Sequence, residues 1–512
     1  MIVQGHEIEN TRVLRTHTVV VGSGSGGGVA AFHLAEAGVD TIVVEEGGYH
    51  VASEFNQREE DMWPMLYRAG GQQTTADGMI NVLQGSCYGG GTVINVSDAF
   101  DIPAEVLAHW QRLVGTTEWT EKSLEESYAR VHRNVNVKRI NKSLINRNNG
   151  LLLEAAAKLG WSAEVMHSNR KGCVGSGSCL TGCSYDARLG TNLTYLPWAI
   201  EKGAQVYTDV RCDRLERVDG SRWRVHCTVL ERGPRNARLP LTIDCERAVL
   251  AASAIFTPAI LRRSGLDQGL PQLGRNLSLQ PQLGIIGRFD ESEDIVHWRG
   301  APQSVEVNEF ADNSAERGLR GFRLEGVGGV LGPIMIMTPG FGREHKRFGK
   351  SMRNLSATLL LVPDEPSGDI SYQWSEDGRV MPKIDYTFTD EWKQRLKAGM
   401  RRSAELLFAA GAKEVAFANQ LFPTLQSADD MSRIDSFPIG PGWVSFNSAH
   451  NQGTCRMGTS PSNSVVDQSL KVHTLPNVYV MDGSVMPTSA STHTMIPIMV
   501  AADFAVHRML DS

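Results

Sequence analysis

The segment that most restricts this chain is an apolar run, Thr16–Val21 (THTVVV), that passes directly into Gly22-Ser-Gly-Ser-Gly-Gly-Gly28. An unbroken, β-branched run of this kind suits a strand buried on both faces of a parallel sheet. A helical stretch, Val29–Ala37, follows and stops at Gly38, and a second strand, Asp40–Val44, ends in Glu45-Glu46-Gly47-Gly48. Together they form a strand–helix–strand unit of about 30 residues. Gly22, Gly24 and Gly27 carry the spacing that a pyrophosphate requires. The first glycine permits a tight turn, the second lets backbone approach the phosphates, and the third lets helix and strand pack closely. The helix start adds unpaired N–H groups and a positive dipole end. Glu45, at the end of the second strand, is positioned to accept ribose hydroxyls, with Glu46 as its neighbouring competitor. The unit predicts dinucleotide binding without separating FAD from NAD.

Composition narrows the rest. A chain of 512 residues is too long for one ordinary core, so two domains are expected. With 41% hydrophobic and 21% charged residues it is a globular sequence. A net charge of −6 gives no electrostatic footprint for nucleic acid. No apolar run is long enough to span a membrane. Met1–Arg15 has no apolar stretch of the secretory type, and eight unevenly spaced cysteines do not form a disulfide framework. The expectation is a cytoplasmic protein with reduced thiols.

Along the chain, Ser123–Trp161 reads as mostly helical, Thr242–Ala252 as one buried strand, and Pro258–Ser264 as a helix. Short β-like segments such as Ser356–Val362 and Gly368–Trp374 alternate with polar turns, interrupted by an amphipathic helix near Asp390–Ala410. A strand at Asn477–Met481 and a helix near Ile496–Leu510 close the chain. This order predicts an α/β (α+β) protein. A Rossmann-like nucleotide-binding domain comprises residues 1–100, 165–282 and 447–512. A substrate domain with a mainly antiparallel sheet comprises residues 101–164 and 283–446.

Two further segments bear on the cofactor. Gly89-Gly90-Gly91-Thr92-Val-Ile-Asn95 is a second glycine-rich loop, as needed where backbone passes close to a flat ligand. Val478-Tyr-Val-Met-Asp482-Gly483-Ser484 is a strand ending in an acid and a glycine, a turn able to bring Asp482 and a backbone N–H to a ribityl chain or ring. With these stand Ala252-Ser-Ala-Ile-Phe-Thr-Pro-Ala-Ile-Leu-Arg-Arg-Ser-Gly265, His450-Asn-Gln-Gly-Thr-Cys-Arg-Met-Gly458 and Met481-Asp-Gly-Ser-Val-Met-Pro-Thr488. In this order the motifs resemble the glucose-methanol-choline (GMC) family of FAD-dependent alcohol oxidoreductases over nearly the whole chain. The resemblance implies FAD rather than NAD, an ADP-binding domain, and a substrate domain whose sheet roofs the flavin. The nearest branches are bacterial long-chain alcohol oxidases and the large subunits of iron–sulfur sugar dehydrogenases. Gln280 departs from the first branch, where a histidine is expected.

Oxidising an alcohol with flavin needs a base for the hydroxyl proton and a hydride transfer from the carbinol carbon to flavin N5. Both require close positioning. Imidazole suits the first task because its pKa lies near working pH. By resemblance, His450 is the base and His493 its partner on the substrate oxygen, with the two roles exchangeable. The implied partners are a small-molecule alcohol and an electron acceptor, either oxygen or a redox protein or dye.

Cys173, Cys179 and Cys183 form C-x5-C-x3-C on a glycine-rich loop. Three thiolates can hold an iron–sulfur cluster, and the spacing resembles that of the iron–sulfur sugar dehydrogenases, so a 3Fe-4S cluster stands beside a metal-free loop as a reading. Zinc wants a fourth ligand, for which only the remote His167 offers itself. Cys87, beside the Gly89–Gly91 turn, is either a covalent flavin anchor or a small buried apolar residue. Gly332-Pro-Ile-Met-Ile-Met337 with Phe341 offers an adaptable apolar pocket wall or plain core, and the basic segment Phe341–Met352 a lid or a solvated turn. Two other classes stay open: a flavin subunit of an electron-transfer complex acting on a sugar-like substrate, and an NAD-dependent dehydrogenase sharing the fingerprint.

Overall fold

The computed structural model describes residues 1–312, 321–329, 331–419 and 421–511. Among these, a six-stranded parallel sheet runs in the order Ile2–Gln4, Gln205–Thr208, Thr41–Val44, Thr18–Val21, Arg247–Leu250 and Val478–Val480. Val19, Val20 and Val21 are buried on both faces, as their unbroken apolar run requires. Both chain ends therefore share one sheet, which is the Rossmann-like arrangement expected.

The first helix, Ser25–Glu36, begins inside the glycine run rather than at Val29. Glycine in a helix costs up to about 1 kcal/mol per residue against alanine. Here no other residue fits. A Cβ on Gly26 would lie 1.8 Å from the Met481 carbonyl oxygen, and one on Gly27 would lie 2.0 Å from that of Gly22.

The run Thr242–Ala252 is two strands in two sheets. Its first part belongs to Ala237–Cys245, in a sheet ordered Val210–Arg217, Trp223–Leu230, Ala237–Cys245 and Val13–Arg15. Its second part is Arg247–Leu250 of the parallel sheet. Burial alternates through Leu241–Cys245 and is continuous through Ala248–Leu250, so the period changes at Glu246. The predicted helix at Pro258 starts earlier, at Ser253, and Pro258 lies within it. The carbonyl of Ala254, which proline cannot serve, accepts instead from Thr454 Oγ1 at 2.5 Å.

The second large sheet runs antiparallel through Gln282–Arg288, Leu355–Leu361, Arg323–Gly326, Val305–Val307 and Ala163–Val165. Phe446–Ser448 and Glu414–Phe417 join the far side of Gln282–Arg288, and Ile80–Val82 pairs parallel with Phe446–Ser448. Helices Asp390–Ala410 and Arg147–Leu159 pack with this sheet in one core. Helices Ala104–Val114 and Glu121–Asn134 contribute Trp110 and Leu124 to the other core, around the parallel sheet. No helix among the described residues is long and apolar enough to cross a membrane.

Candidate active site

A cavity of about 1000 Å³ is lined by residues of both cores. That volume lies at the upper end of the range for small-molecule sites. Gly22, Gly24, Gly90, Gly91, Glu45, Asn95, Asp482 and Gly483 line it, together with His450 and His493. Gly22 turns with φ +100° against the Ala251 carbonyl. Added Cβ atoms on Gly24 and Gly91 would meet nothing within 4 Å, so both backbones present open space to the cavity. That bare cradle at a helix start is the fit a dinucleotide pyrophosphate needs. Gly27, Gly89 and Thr92 lie off the cavity wall. Gly27 is a packing position, while Thr92 Oγ1 donates to the Gly89 carbonyl at 2.7 Å and Gly89 N–H donates to Ser23 Oγ at 2.9 Å, tying the two glycine loops together.

Glu45 faces the cavity with most of its acceptor capacity already taken. It accepts from Ser23 N–H at 2.9 Å, Ser23 Oγ at 2.6 Å and Gly47 N–H at 2.8 Å. A carboxylate has about four acceptor sites, which leaves about one for a ribose hydroxyl. Burial pushes its carboxyl up, against those hydrogen bonds. Glu46 is held at both oxygens by Arg68, at 2.7 and 2.6 Å. Arg68, Arg211 and Arg235 all line the cavity, a cationic wall suited to phosphate that no motif announced. Asp482 acts within the chain. It accepts from Ser253 N–H (3.0 Å), Thr257 Oγ1 (2.5 Å) and Ser484 N–H (2.8 Å), so it clamps the 253–257 turn to the C-terminal motif. Asn95 accepts from Ser97 N–H at 3.0 Å.

His450 follows strand Phe446–Ser448, and His493 immediately precedes the final helix, Met495–Asp511. Gln452 joins the two segments: its Oε1 accepts from Ala490 N–H at 3.0 Å, and its Nε2 donates to the His450 carbonyl at 3.1 Å. The two imidazole centroids lie 4.9 Å apart with the rings near perpendicular, at 80°. Their environments differ. Burial, and then the charge on His493, holds His450 well below the usual histidine range. Burial alone would do the same to His493, but Glu325, 2.9 Å from its Nε2, and the nearby charge of Asp98 push it up to about 9. Its ring stacks on Phe100 at 5.3 Å. Gln303 Nε2 donates to Glu325 at 2.8 Å. Burial raises Asp98 to about 7 despite His493. Asp98, Glu325 and His493 are close enough to bracket a cation. Gln282 Nε2 sits 3.4 Å from His450 Nδ1. Sequence reasoning missed Gln282, Asp98 and Glu325, which lie in no motif. Gln280 is off the cavity; its N–H donates to Asp364 at 3.0 Å and its side chain faces Ser489.

Cys173, Cys179 and Cys183 line a second, small cavity of about 20 Å³ with Arg170 and Arg188. All three are free thiols, and they do not converge on one point as a single zinc ion requires. Arg188 donates to the carbonyls of Val93, Asn95 and Cys179, which fastens this loop to the Gly89–Asn95 turn. Cys87 is buried off the main cavity, its thiol pushed up to about 12 by burial first and Glu45 second. It is therefore a packed thiol. The segment predicted as pocket wall is a short helix, Leu331–Met337, whose Pro333, Ile336 and Met337 line the cavity. Ile336 is 66% exposed and so marks the mouth. The basic segment beyond it is a helix, Arg343–Lys350, with Arg347 paired to Glu414.

Residues 64–282 and 364–502 match the two GMC oxidoreductase domains, in chain order. The chain belongs to the GMC oxidoreductase family. It is thus an oxidoreductase of a flavoprotein family whose members bind FAD. An uncharacterised GMC-type oxidoreductase of Mycobacterium tuberculosis is 30% identical over 96% of this chain and 76% of its own length. A long-chain-alcohol oxidase of Arabidopsis thaliana is 27% identical over 98% of this chain and 68% of its own. The fold matches crystalline pyridoxine 4-oxidase from Mesorbium loti with a TM-score of 0.73 at 18% identity, covering 97% and 99% of the two chains.

The glycines separate packing from ligand contact. Gly26→Ala must displace the Met481 carbonyl and is expected to cost about 1–3 kcal/mol in denaturant unfolding. Gly24→Ala should leave apoprotein stability within about 0.5 kcal/mol yet weaken flavin retention on gel filtration. Equal unfolding midpoints for the two variants would contradict this assignment.

Proposed function

We propose that this GMC oxidoreductase oxidises a primary or secondary alcohol to the aldehyde or ketone. FAD lies along Gly22, Gly24, Glu45, Gly90, Gly91 and Asn95 of a discontinuous nucleotide domain, and the substrate enters past Ile336. The observation that carries this reading is the pair of imidazoles lining one cavity, 4.9 Å between centres, with a carboxylate, Glu325, on His493 and none on His450. Bound FAD supplies the hydride acceptor. His450, neutral, takes the hydroxyl proton. With the Gln282 amide turned so that its Oε1 accepts from Nδ1–H, Nε2 is left with the lone pair. His493, a cation held by Glu325, donates to the same oxygen and stabilises the alkoxide as it forms. Two titratable groups driven apart by their surroundings are the usual mark of an acid–base division of labour. The cavity lining includes apolar side chains, among them Trp63, Phe256, Leu359 and Met337, which favours an alcohol with a hydrocarbon body. The long-chain-alcohol oxidase relatives support the same class.

A second reading makes the Cys173, Cys179 and Cys183 loop an electron exit carrying a 3Fe-4S cluster. The observation favouring it is that the three cysteines line one small cavity with Arg170 and Arg188, whose charges would balance an anionic cluster. Iron analysis decides: the alcohol-oxidoreductase reading alone expects none, and about three iron atoms per chain would establish the cluster.

His450→Ala is expected to slow flavin reduction by substrate by about 10²–10⁴-fold with flavin still bound; unchanged reduction would remove His450 as base. The pH profile tests the partner. His450, titrating well below its usual range, stays neutral through the physiological range, so kcat/KM should be level there and fall as His493 deprotonates near pH 9. Glu325→Gln removes the contact that holds the proton on His493, so the alkaline limb should move to lower pH. An unmoved limb would contradict the role given to Glu325.

A further inference from the structure

Away from the cavity, the first helix and the last helix meet at three groups with metal-ligand chemistry: His33 of Ser25–Glu36, and Asp503 and His507 of Met495–Asp511. Asp503 and His507 are one helical turn apart on one face (i, i+4). One ligand atom from each of the three lies within 4.8 Å of the others. The imidazoles of His33 and His507 face each other at 4.6 Å between centroids. His33 is 4% exposed, yet both its ring nitrogens lack an aligned hydrogen-bond partner, as does Nε2 of His507. Buried polar atoms left unsatisfied in this way are rare, and one ring nitrogen of each imidazole lies within 4.8 Å of a carboxylate oxygen of Asp503. His33 Nε2 lies 3.0 Å from Asp503 Oδ2 but off the direction of a ring hydrogen bond. That arrangement suits two ligands of one ion, since groups bound at ~2.1 Å and tetrahedral angles stand roughly 3.4 Å apart.

We propose that His33, Asp503 and His507 form a binding site for a divalent cation of the zinc class, tying the first helix of the nucleotide fold to the last. Arg130 engages both oxygens of Asp503, more closely at Oδ1 (2.6 and 3.0 Å) than at Oδ2 (3.3 Å), so an ion at this site shares the carboxylate with the guanidinium. Glu36 stands 3.5 Å from His33 Nδ1 and adds negative charge beside the imidazole without an aligned hydrogen bond. His507 is partly exposed, so the cluster lies near the protein surface. The ion would be structural, because none of the three residues lines the main cavity.

The test uses the full-length flavin-loaded protein, stripped with chelator and titrated with zinc chloride by calorimetry, with metal per chain measured after dialysis. One zinc per chain and a raised Tm are expected. His507→Gln, at the half-exposed position, should lower affinity at least about a hundredfold, since losing even an outer-sphere partner costs about 10–100-fold, while the visible flavin spectrum is unchanged. His33→Gln should do the same. Replacing Cys173, Cys179 and Cys183 together by Ser should leave the isotherm as it was. No zinc uptake at micromolar metal, an unchanged isotherm in His507→Gln, or binding lost with the cysteines would each overturn the proposal.

Discussion

The closeness of the first helix to the turn after strand Val478–Val480 governs the rest of the molecule. Only a hydrogen at Gly26 permits it, because the Met481 carbonyl occupies the place of a side chain. That contact brings the first and last fifths of the sequence into one layer. It sets Asp482 where it can hold the 253–257 turn, and so fixes the relation of the parallel sheet to helix Ser253–Arg263. Thr454, by capping the carbonyl freed by Pro258, then anchors the segment bearing His450 to that same helix. The His450–His493 pair is thus positioned by backbone geometry several contacts removed from either ring.

The site's chemistry rests on unequal burial costs. An isolated imidazolium is expensive away from water, and His450 responds by staying neutral. His493 sits as deeply, yet Glu325 and Asp98 make its charged form the favoured one. A buried pair of this kind contributes little net stability. In the proposed reaction it supplies a fixed positive charge beside a proton acceptor, arranged before substrate arrives.

Much of this was legible in the sequence, for identifiable reasons. The glycine spacing around Gly22 and the apolar Thr18–Val21 strand are local signals, and the fold kept both. His450 and His493 were legible because each sits in a motif of the family. Glu325 was not: no motif surrounds it, and only the folded sheet buries this polar residue of strand Arg323–Gly326 against His493. Arg68 and Arg235 come from unremarkable loops, and only the folded chain gathers them. The amphipathic helices Ala104–Val114 and Glu121–Asn134 announce an apolar face without saying which core receives it; they pack around the parallel sheet, whereas the sequence reading had grouped them with the substrate domain. The change of period at Glu246 is too short to separate two strands from one by inspection.

In the proposed reaction, a hydride leaves the carbinol carbon of an alcohol with an apolar body for the bound flavin. Anaerobic mixing of the flavin-loaded protein with a long-chain primary alcohol, and with the same alcohol deuterated at the carbinol carbon, should bleach the flavin band in a single turnover, severalfold more slowly with deuterium. No bleaching with alcohols of any chain length, or bleaching equally fast with both isotopes when the chemical step is observed, would contradict it.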